Sequence, residues 1–259
     1  MTKLAANLSM LFTELPFLDR FGAAAKAGFK GVEFLFPYAF RAEDISDKLS
    51  THGLTLVLHN LPAGDWEAGE RGIACHPNRV EEFKTGVDDA IRYAKTLGVK
   101  QINCLAGKKP ADVSDAAAQE TFVSNLKFAA DKLQAEGIRL LIEPINTFDI
   151  PGFFLSGTQQ AIDIIKATGS NNIFVQYDIY HMQRMEGELA ATIKANLPQI
   201  KHLQLADNPG RFEPGTGEIN YQYIFKFLAE IGYDGWIGCE YKPKTTTEDG
   251  LGWIKAHGI

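Results

Sequence analysis

The sequence predicts a single (β/α)8 barrel, the TIM barrel fold, formed by residues 1–259 as one domain. Eight short apolar segments of strand length alternate with eight segments of helical periodicity, which is typical of a parallel sheet covered by helices. No linker or change of composition divides the chain into two halves. The alternative is a doubly wound open sheet, but the first strand-to-helix turn lacks a Gly-x-Gly-x-x-Gly pattern. We therefore expect a barrel and no nucleotide cofactor.

The first half of the chain supplies four predicted strands, at 4–10, 31–36, 54–59 and 100–105, and three predicted helices, at 16–27, 44–52 and 79–97. The connection 60–78 is unusually long, and it is rich in glycine, proline and charge. Connections of this length in a compact domain are usually lids or binding loops. Trp66 and Ile73 indicate that it packs against the domain, so we expect a lid, with a purely structural cover as the alternative.

The second half supplies strands at 139–142, 173–177, 200–205 and 236–239, with helices at 114–136, 158–167, 187–196, 221–231 and 246–256. The apolar run Leu140 to Ile142 is typical of a strand buried on both faces. Glu143 and Pro144 follow it, and proline ends a strand because it has no N–H to donate.

The composition indicates a soluble globular protein, with 45% hydrophobic and 22% charged residues. A formal charge of −6 argues against a nucleic-acid surface. No stretch approaches the roughly 18 apolar residues of a membrane helix, and the first residues do not resemble a signal peptide. The three cysteines have no Cys-x-x-Cys spacing, which favours reduced thiols. These features predict a cytoplasmic protein that binds neither nucleic acid nor membrane.

Four oxygen-bearing side chains stand at the ends of consecutive predicted strands: Glu143, Asp178, Gln204 and Glu240. The carboxyl ends of barrel strands carry the active site in this fold, so these side chains can converge on one point. Three carboxylates and an amide oxygen suit a hard divalent cation, Mg²⁺ or Mn²⁺, better than zinc. A single acid at a strand end is more often a helix cap or a surface charge, but four at one level favour a functional site.

Several other residues could line the mouth of the barrel. His181 could donate to a substrate oxygen, and Arg211, in a loop shaped by glycine and proline, could bind a substrate carboxylate. For both, a structural or solvated role is the alternative. Lys242, His59 with Asn60, and Asn7 are further candidates for substrate binding, whereas Glu33 is expected to have a structural role.

Two glutamates facing each other across a chelated substrate suit aldose–ketose isomerisation or epimerisation. The cation polarises a carbonyl and makes the adjacent C–H acidic, one glutamate removes that proton, and a proton returns to the neighbouring carbon of the enediolate. No nucleophilic serine or cysteine motif is present.

The sequence resembles the hydroxypyruvate isomerase family over essentially its whole length and, more distantly, the xylose-isomerase-like barrel superfamily. The segments that carry this resemblance include GVEFLFPY, HNLPAGDW, IEPINTFDIPGF, QYDIYHMQRMEGEL, ADNPGRFEPGTGEINY and GCEYKP. The resemblance implies interconversion of hydroxypyruvate and 2-hydroxy-3-oxopropanoate, a reaction of glyoxylate metabolism. It also implies Glu143 and Glu240 as the proton donor and acceptor pair, with Asp178 and Gln204 completing the metal site. Ketose 3-epimerases usually have histidine where this chain has Gln204, so the resemblance does not determine the identity of the metal.

Four alternatives remain at this level. A 2-oxo-tetronate isomerase would perform the same chemistry on a four-carbon acid, and a ketose 3-epimerase would act on a neutral sugar without needing Arg211. A non-catalytic sugar-binding barrel would not need two opposed glutamates. An AP endonuclease would need more zinc-binding histidines and a basic groove. A homo-oligomer is possible on this sequence.

Overall fold

The computed structural model describes residues 2–259, and its eight strands form a closed, all-parallel barrel in sequence order. The strands are β1 Lys3–Asn7, β2 Gly31–Glu33, β3 Thr55–Asn60, β4 Gln101–Cys104, β5 Arg139–Ile142, β6 Ile173–Asp178, β7 Ile200–Leu205 and β8 Trp236–Cys239. Pairing of Lys3 with Trp236 begins the β1–β8 ladder that closes the barrel. The predicted fold is confirmed.

Ten α-helices surround the strands: α1 Arg20–Lys26, α2 Ala42–His52, α3 Val80–Leu97, α4 Asp115–Ala135, α5 Thr158–Thr168, α6 Ile179–Met185, α7 Leu189–Asn196, α8 Tyr221–Glu230, α9 Thr247–Gly250 and α10 Gly252–Ala256, counted over residues 2–259. Short 3-10 turns at Phe17–Asp19 and Pro77–Arg79 precede α1 and α3. Within the described part of the chain, no helix combines the length and the apolar character needed to cross a bilayer.

The structure differs from the prediction by one missed helix and by several element boundaries. Sequence reasoning missed α6, because Asp178 both ends β6 and caps the next helix by accepting a hydrogen bond from the Tyr180 N–H, which leaves no loop between them. The predicted strand 31–36 ends at Glu33, and the predicted helix 246–256 is divided into α9 and α10. The strand predicted at 4–10 likewise ends at Asn7, so for these two strands the apolar residues continue past the last paired residue.

Most of the hydrophobic core lies between the strands and the helices, where outward-facing strand residues such as Ile102, Val175 and Leu203 pack against the helical layer. A smaller apolar cluster of Ala5, Val57, Leu58 and Leu141 packs separately from this layer. Polar side chains that are also fully buried, Glu33 and His202 among them, belong to the strands as well. Because buried polar groups need partners, we expect these residues to form a hydrogen-bonded network.

Strand register places the site residues at one level. Asp178 on β6 lies opposite Gln204 on β7, and Gln204 lies opposite Gly238 on β8. Gly238 has no side chain for a clear reason: a Cβ there would overlap the carboxylate of Glu33. The small residue on β8 therefore makes room for a buried acid on β2.

We predict that Gly238→Ala lowers the free energy of unfolding by about 1–3 kcal/mol, because the added methyl group must displace the Glu33 carboxylate. Gly252→Ala is the matched control, since a Cβ at that position meets no atom within 4 Å, and we expect little change. Urea denaturation of both variants measures the difference. Equal stability of the two variants would contradict the packing argument.

Candidate active site

A cavity of about 670 Å³ opens at the carboxyl ends of the strands. Its lining includes Ser9, Asn60, Trp66, Arg71, Glu143, Ile145, Asp149, His181, Arg211, Glu240 and Lys242. Asp178 and Gln204 are fully buried at the ends of β6 and β7. The structure thus brings most of the residues singled out in the sequence to one end of the barrel.

Glu143 and Glu240 both line this cavity, although each is almost fully buried. Glu143 follows β5 and accepts a hydrogen bond of 3.1 Å from Nδ2 of Asn103. Burial, and then repulsion from Glu240, hold the pKa of Glu143 well above its ordinary value. Burial also raises the pKa of Glu240 to about 8, with Asp178 adding to the shift. The site therefore contains two carboxyl groups whose pKa values are raised above the ordinary range of a carboxylic acid, so both retain a proton more readily than an exposed glutamate does.

Arg211 supplies positive charge to these acids. Its Nη2 lies 3.1 Å from Oε2 of Glu240 and 3.5 Å from Oδ2 of Asp178, and its guanidinium lies over the Tyr180 ring. Only 19% of the side chain is exposed. The charge of Arg211 is thus paired with protein carboxylates through Nη2, whereas its Nε is buried without a hydrogen-bond partner, and its role in substrate binding stays a prediction.

The loop that carries Arg211 is organised by Asp207. The Asp207 carboxylate accepts hydrogen bonds from the backbone N–H groups of Asn208, Gly215, Gly217 and Ile219. Arg211 itself has a φ of +59°, in the left-handed region that non-glycine residues rarely adopt. Its carbonyl accepts a hydrogen bond from the N–H of Lys242. Several fixed contacts therefore hold this backbone in a conformation that costs free energy.

His181 lies on α6 beside the carboxylates, and hydrogen bonding fixes its tautomer. Oδ1 of Asn146 accepts from the N–H groups of Phe148 and Asp149, so its Nδ2 must face Nδ1 of His181, 2.6 Å away. Nδ1 is therefore the acceptor, and the ring proton is on Nε2. Nε2 lies 3.5 Å from Oδ2 of Asp178 and 3.9 Å from Oε1 of Glu143. Burial lowers the pKa of His181 well below its ordinary value, so it is a neutral hydrogen-bond donor.

Gln204 is held by the buried network around Glu33. Its Nε2 donates to Oε1 of Glu33 over 2.8 Å, and its Oε1 accepts from Nε2 of Gln176 over 2.7 Å. Glu33 also accepts from Asn7 and pairs with Nε2 of His202 at 2.6 Å. These contacts fit the structural role expected for Glu33. Because a carboxylate only accepts hydrogen bonds, Glu33 must face the NH2 group of the Gln204 amide and so sets the orientation of that amide.

Three further candidates differ in position. Lys242 lines the cavity with an exposed side chain. Asn7 does not reach the cavity, because its side chain is buried and donates to Glu33. His59 is also buried away from the cavity lining, with Nδ1 facing the Asn60 carbonyl and its ring edge-on to Tyr38, and its neighbour Asn60 lines the cavity instead. Adjacent residues of a strand point to opposite faces, and the sequence does not say which of the two points inward.

Sequence reasoning missed Asn146, Asn103 and Arg71. Asn146 lies three residues after Glu143. Asparagine often forms turns by accepting hydrogen bonds from backbone N–H groups a few residues later, and this tendency was the signal that could have identified it. Arg71 belongs to the connection 60–78, where one cation among several charges carries no distinguishing mark. Together with Trp66 it brings that connection to the edge of the cavity.

The donor set suits a metal ion. Glu143, Asp178 and His181 offer atoms within 4.8 Å of one another, and all three residues are buried. Carboxylate oxygens match the preference of hard divalent cations, and an added positive charge would offset the repulsion that raises the pKa of Glu143. His181 fits less well as a ligand, because its Nε2 carries the proton. This buried acidic group could therefore hold a metal ion through its carboxylates.

Comparison with known proteins adds independent information. Residues 21–257 match the family model described as xylose isomerase-like TIM barrel. The chain is 59% identical to hydroxypyruvate isomerase of Escherichia coli (strain K12), covering 98% of each chain. It is 47% identical to 2-oxo-tetronate isomerase of Cupriavidus necator, covering 99% of each. The crystal structure of AP endonuclease, family 2 from Brucella melitensis superposes with a TM-score of 0.96 at 46% identity, covering 99% of each chain.

We predict that the stability of the metal-free protein falls as pH rises from about 5 to about 8. The pKa of Glu240 is raised by folding from 4.5 to about 8, so the folded state binds more protons than the unfolded chain across this range. The stabilisation is complete below the lower value and is lost as pH passes the higher one. Denaturation with guanidinium chloride and excess chelator, repeated at several pH values, measures this dependence.

Glu240→Gln is the matched variant, because glutamine resembles the protonated acid. It should be more stable than wild type at pH 8, with a smaller difference at pH 5. An unchanged pH dependence in Glu240→Gln would contradict the raised pKa.

Proposed function

The chain belongs to the xylose isomerase-like TIM barrel family, and from this we propose that it is an isomerase that interconverts hydroxypyruvate and 2-hydroxy-3-oxopropanoate. The observation that carries the proposal is the pair Glu143 and Glu240, two buried acids that line one cavity and whose pKa values are both raised. The 59% identity to an isomerase of that name supports the choice of substrate.

The pair divides the proton transfers between its two members. Repulsion between neighbouring carboxylates favours the state in which one is ionised and the other protonated. The ionised glutamate removes a proton from C3 of hydroxypyruvate, and the C–H electrons form the C2–C3 double bond of an enediolate. The other glutamate then delivers a proton to C2, while the O3 hydroxyl proton moves to O2. We propose that the Nε2–H of His181, which lies 3.5 Å from Asp178, donates to a substrate oxygen during this exchange.

A divalent cation would assist this chemistry. We propose that Glu143, Asp178, Gln204 and Glu240 hold Mg²⁺ or Mn²⁺, which when bound would polarise the substrate carbonyl. Gln204 would contribute its amide oxygen, because its Nε2 donates to Glu33; that oxygen also accepts a hydrogen bond from Gln176 and would use its second lone pair. Arg211 already pairs with Asp178 and Glu240, so it would share these carboxylates with the cation.

The connection 60–78 completes the site as a cover. Trp66 and Arg71 contribute to the cavity lining, and Gly72 packs so closely against the backbone at Leu105 that a Cβ there would collide with it. An enediolate is unstable in water, so a wall of this kind protects it. We propose that this connection is the lid expected from the sequence.

A four-carbon substrate is the second candidate, because the chain is also 47% identical to a 2-oxo-tetronate isomerase over nearly its full length. The same two glutamates would act on either acid. A zinc nuclease is less well supported: within residues 2–259, the cavity lining contains one histidine, His181, and zinc centres usually need more.

The surroundings of the thiols support a reducing compartment. Cys75, Cys104 and Cys239 are all free and buried. We propose a cytoplasmic enzyme whose partner is a small hydroxy-keto acid, acting without nucleic acid or membrane.

We predict that Glu143→Gln and Glu240→Gln each lower kcat for hydroxypyruvate by about 10³-fold or more, because each removes one of two required proton carriers. Assays on hydroxypyruvate and a 2-oxo-tetronate side by side give kcat/KM for both acids. A higher value for the four-carbon acid would favour the second candidate, and near-normal turnover by either variant would reject the two-glutamate scheme. Glu218→Gln is the control, since Glu218 is an exposed acid outside the cavity.

We also predict that Mn²⁺ binds the chelator-treated protein and that Asp178→Asn weakens binding by at least 10-fold. Calorimetric titration measures the affinity without relying on turnover. Asp149→Asn is the control. Asp149 also lines the cavity, but it is bound to Arg184, Tyr180 and Asn146 and is not one of the proposed metal ligands. If wild type and Asp178→Asn bind Mn²⁺ equally, the assigned metal ligands are wrong.

A further inference from the structure

We propose that Arg71 is the residue that recognises the carboxylate of the substrate and so restricts the enzyme to keto acids. This inference rests on the proposed isomerase function and adds a specificity residue to it. It replaces the expectation that Arg211 has this role. The reasons are the partners of each cation at the cavity, the free hydrogen-bond donors of Arg71, and the rigidity of its segment.

Three cationic residues line the cavity: Arg71, Arg211 and Lys242. The Nη2 of Arg211 lies 3.1 Å from Glu240, so its charge is paired with a buried acid even though its Nε has no hydrogen-bond partner. Within residues 2–259, no carboxylate oxygen lies within 4.0 Å of the guanidinium of Arg71, although acids are numerous around the cavity. A cation that lines a cavity beside buried carboxylates, and has no acid of its own, is suited to an anionic ligand.

The donors of Arg71 are divided in a way that suits a carboxylate. Its Nη1 carries two N–H groups, which donate to the backbone carbonyls of Trp66 at 2.9 Å and Glu70 at 2.6 Å. Nε and Nη2 have no hydrogen-bond partner among the described residues, and neither is shut off from solvent. The Nε–Nη2 edge of a guanidinium matches the spacing of two carboxylate oxygens, so it can bind one with two parallel hydrogen bonds.

The position of Arg71 is fixed before any ligand binds. Its guanidinium carbon lies 4.1 Å from the centre of the Trp66 ring, which holds the planar group by a cation–π contact. The next residue, Gly72, has a φ of +116° and packs against the backbone of Leu105 and Gly107. Its N–H donates to the carbonyl of Ala63. A pre-positioned donor pair loses little conformational entropy on binding, which favours tight recognition.

Lys242 is the competing cation, but its side chain is exposed and its ammonium has no hydrogen-bond partner within the described residues that would hold it in place. A flexible ammonium offers one hydrogen bond at a time to a carboxylate oxygen, whereas the edge of Arg71 offers two. The carboxylate of the substrate would then lie toward the connection 60–78, while its hydroxyl and carbonyl face the acids. This assigns the lid a chemical function as well as a covering one.

Two probes separate this idea from the proposed function. Pyruvate has the 2-oxo acid group without the 3-hydroxyl group, so its binding can be measured by calorimetry even if the enzyme does not turn over hydroxypyruvate. Dihydroxyacetone replaces the carboxylate of hydroxypyruvate with a hydroxymethyl group and reports on an uncharged substrate. The variants are Arg71→Met, which keeps an apolar side chain against Trp66, and Arg71→Lys, which keeps the charge.

We expect Arg71→Met to weaken pyruvate binding and to lower kcat/KM for hydroxypyruvate by about 30- to 1,000-fold, mainly through KM. We expect a change of less than about 3-fold for dihydroxyacetone. Arg71→Lys should recover only part of the loss. Arg92→Met is the matched control, since Arg92 also lies over an aromatic ring, Tyr93, but is outside this cavity, and it should behave as wild type.

The inference is overturned if Arg71→Met binds pyruvate as wild type does, or if Lys242→Met shows the larger loss. An equal decrease on hydroxypyruvate and dihydroxyacetone would also overturn it, because that pattern indicates a general disturbance of the site. If wild type binds pyruvate through Arg71 but isomerises neither hydroxypyruvate nor a 2-oxo-tetronate, the proposed function fails and the assignment of Arg71 stands. Thermal unfolding of each variant confirms that the fold is retained.

Discussion

The site depends on an imbalance of charge in a region with little water. Glu143, Asp178 and Glu240 are buried within reach of one another, and Arg211 lies among them as a counter-charge. One guanidinium does not neutralise three carboxylates, so the protein holds protons on some of them, as the raised pKa values of all three indicate. The same imbalance favours retention of protons by these acids, and a bound cation would offset it. An arrangement that is costly for folding is thus useful for chemistry.

The rest of the barrel end is built to maintain this arrangement. Asp207 organises the loop of Arg211 through four backbone N–H groups, and the Glu33 network fixes the amide of Gln204. Asn146 fixes the tautomer of His181 in the same manner, because its own oxygen is already occupied. None of these three polar residues needs to touch a substrate. Asp207 fixes a backbone conformation, whereas Glu33 and Asn146 each fix the orientation of a neighbouring side chain, which is how a site retains its geometry.

Much of this organisation could be predicted from the sequence, and there are physical reasons why the rest could not. The apolar strands followed by Glu143, Asp178 and Glu240 identified the barrel and its acidic end, because strand length and chain order determine where those residues lie. The sequence could not show that His59 faces away from the cavity while Asn60 lines it. When both faces of a strand are buried, an apolar run does not indicate which alternate residues point into the barrel. It also could not show that Arg211 pairs with acids already present, because that pairing depends on a tightly turned loop. Arg71 could not be distinguished among the charges of the connection 60–78 until the packing of Gly72 was known.

The central claim is that two glutamates transfer protons to and from carbon, and solvent isotope incorporation tests it most directly. The enzyme is incubated with hydroxypyruvate in D₂O, and C2 of the 2-hydroxy-3-oxopropanoate is examined directly by NMR during the first turnovers, without chemical reduction, because reduction would convert substrate and product to the same glycerate. Because the second glutamate exchanges its proton with solvent, we expect about one deuterium at C2 for each molecule of 2-hydroxy-3-oxopropanoate formed. Product that forms at the normal rate with only protium at C2 would indicate direct hydrogen transfer between the carbons and would contradict the account.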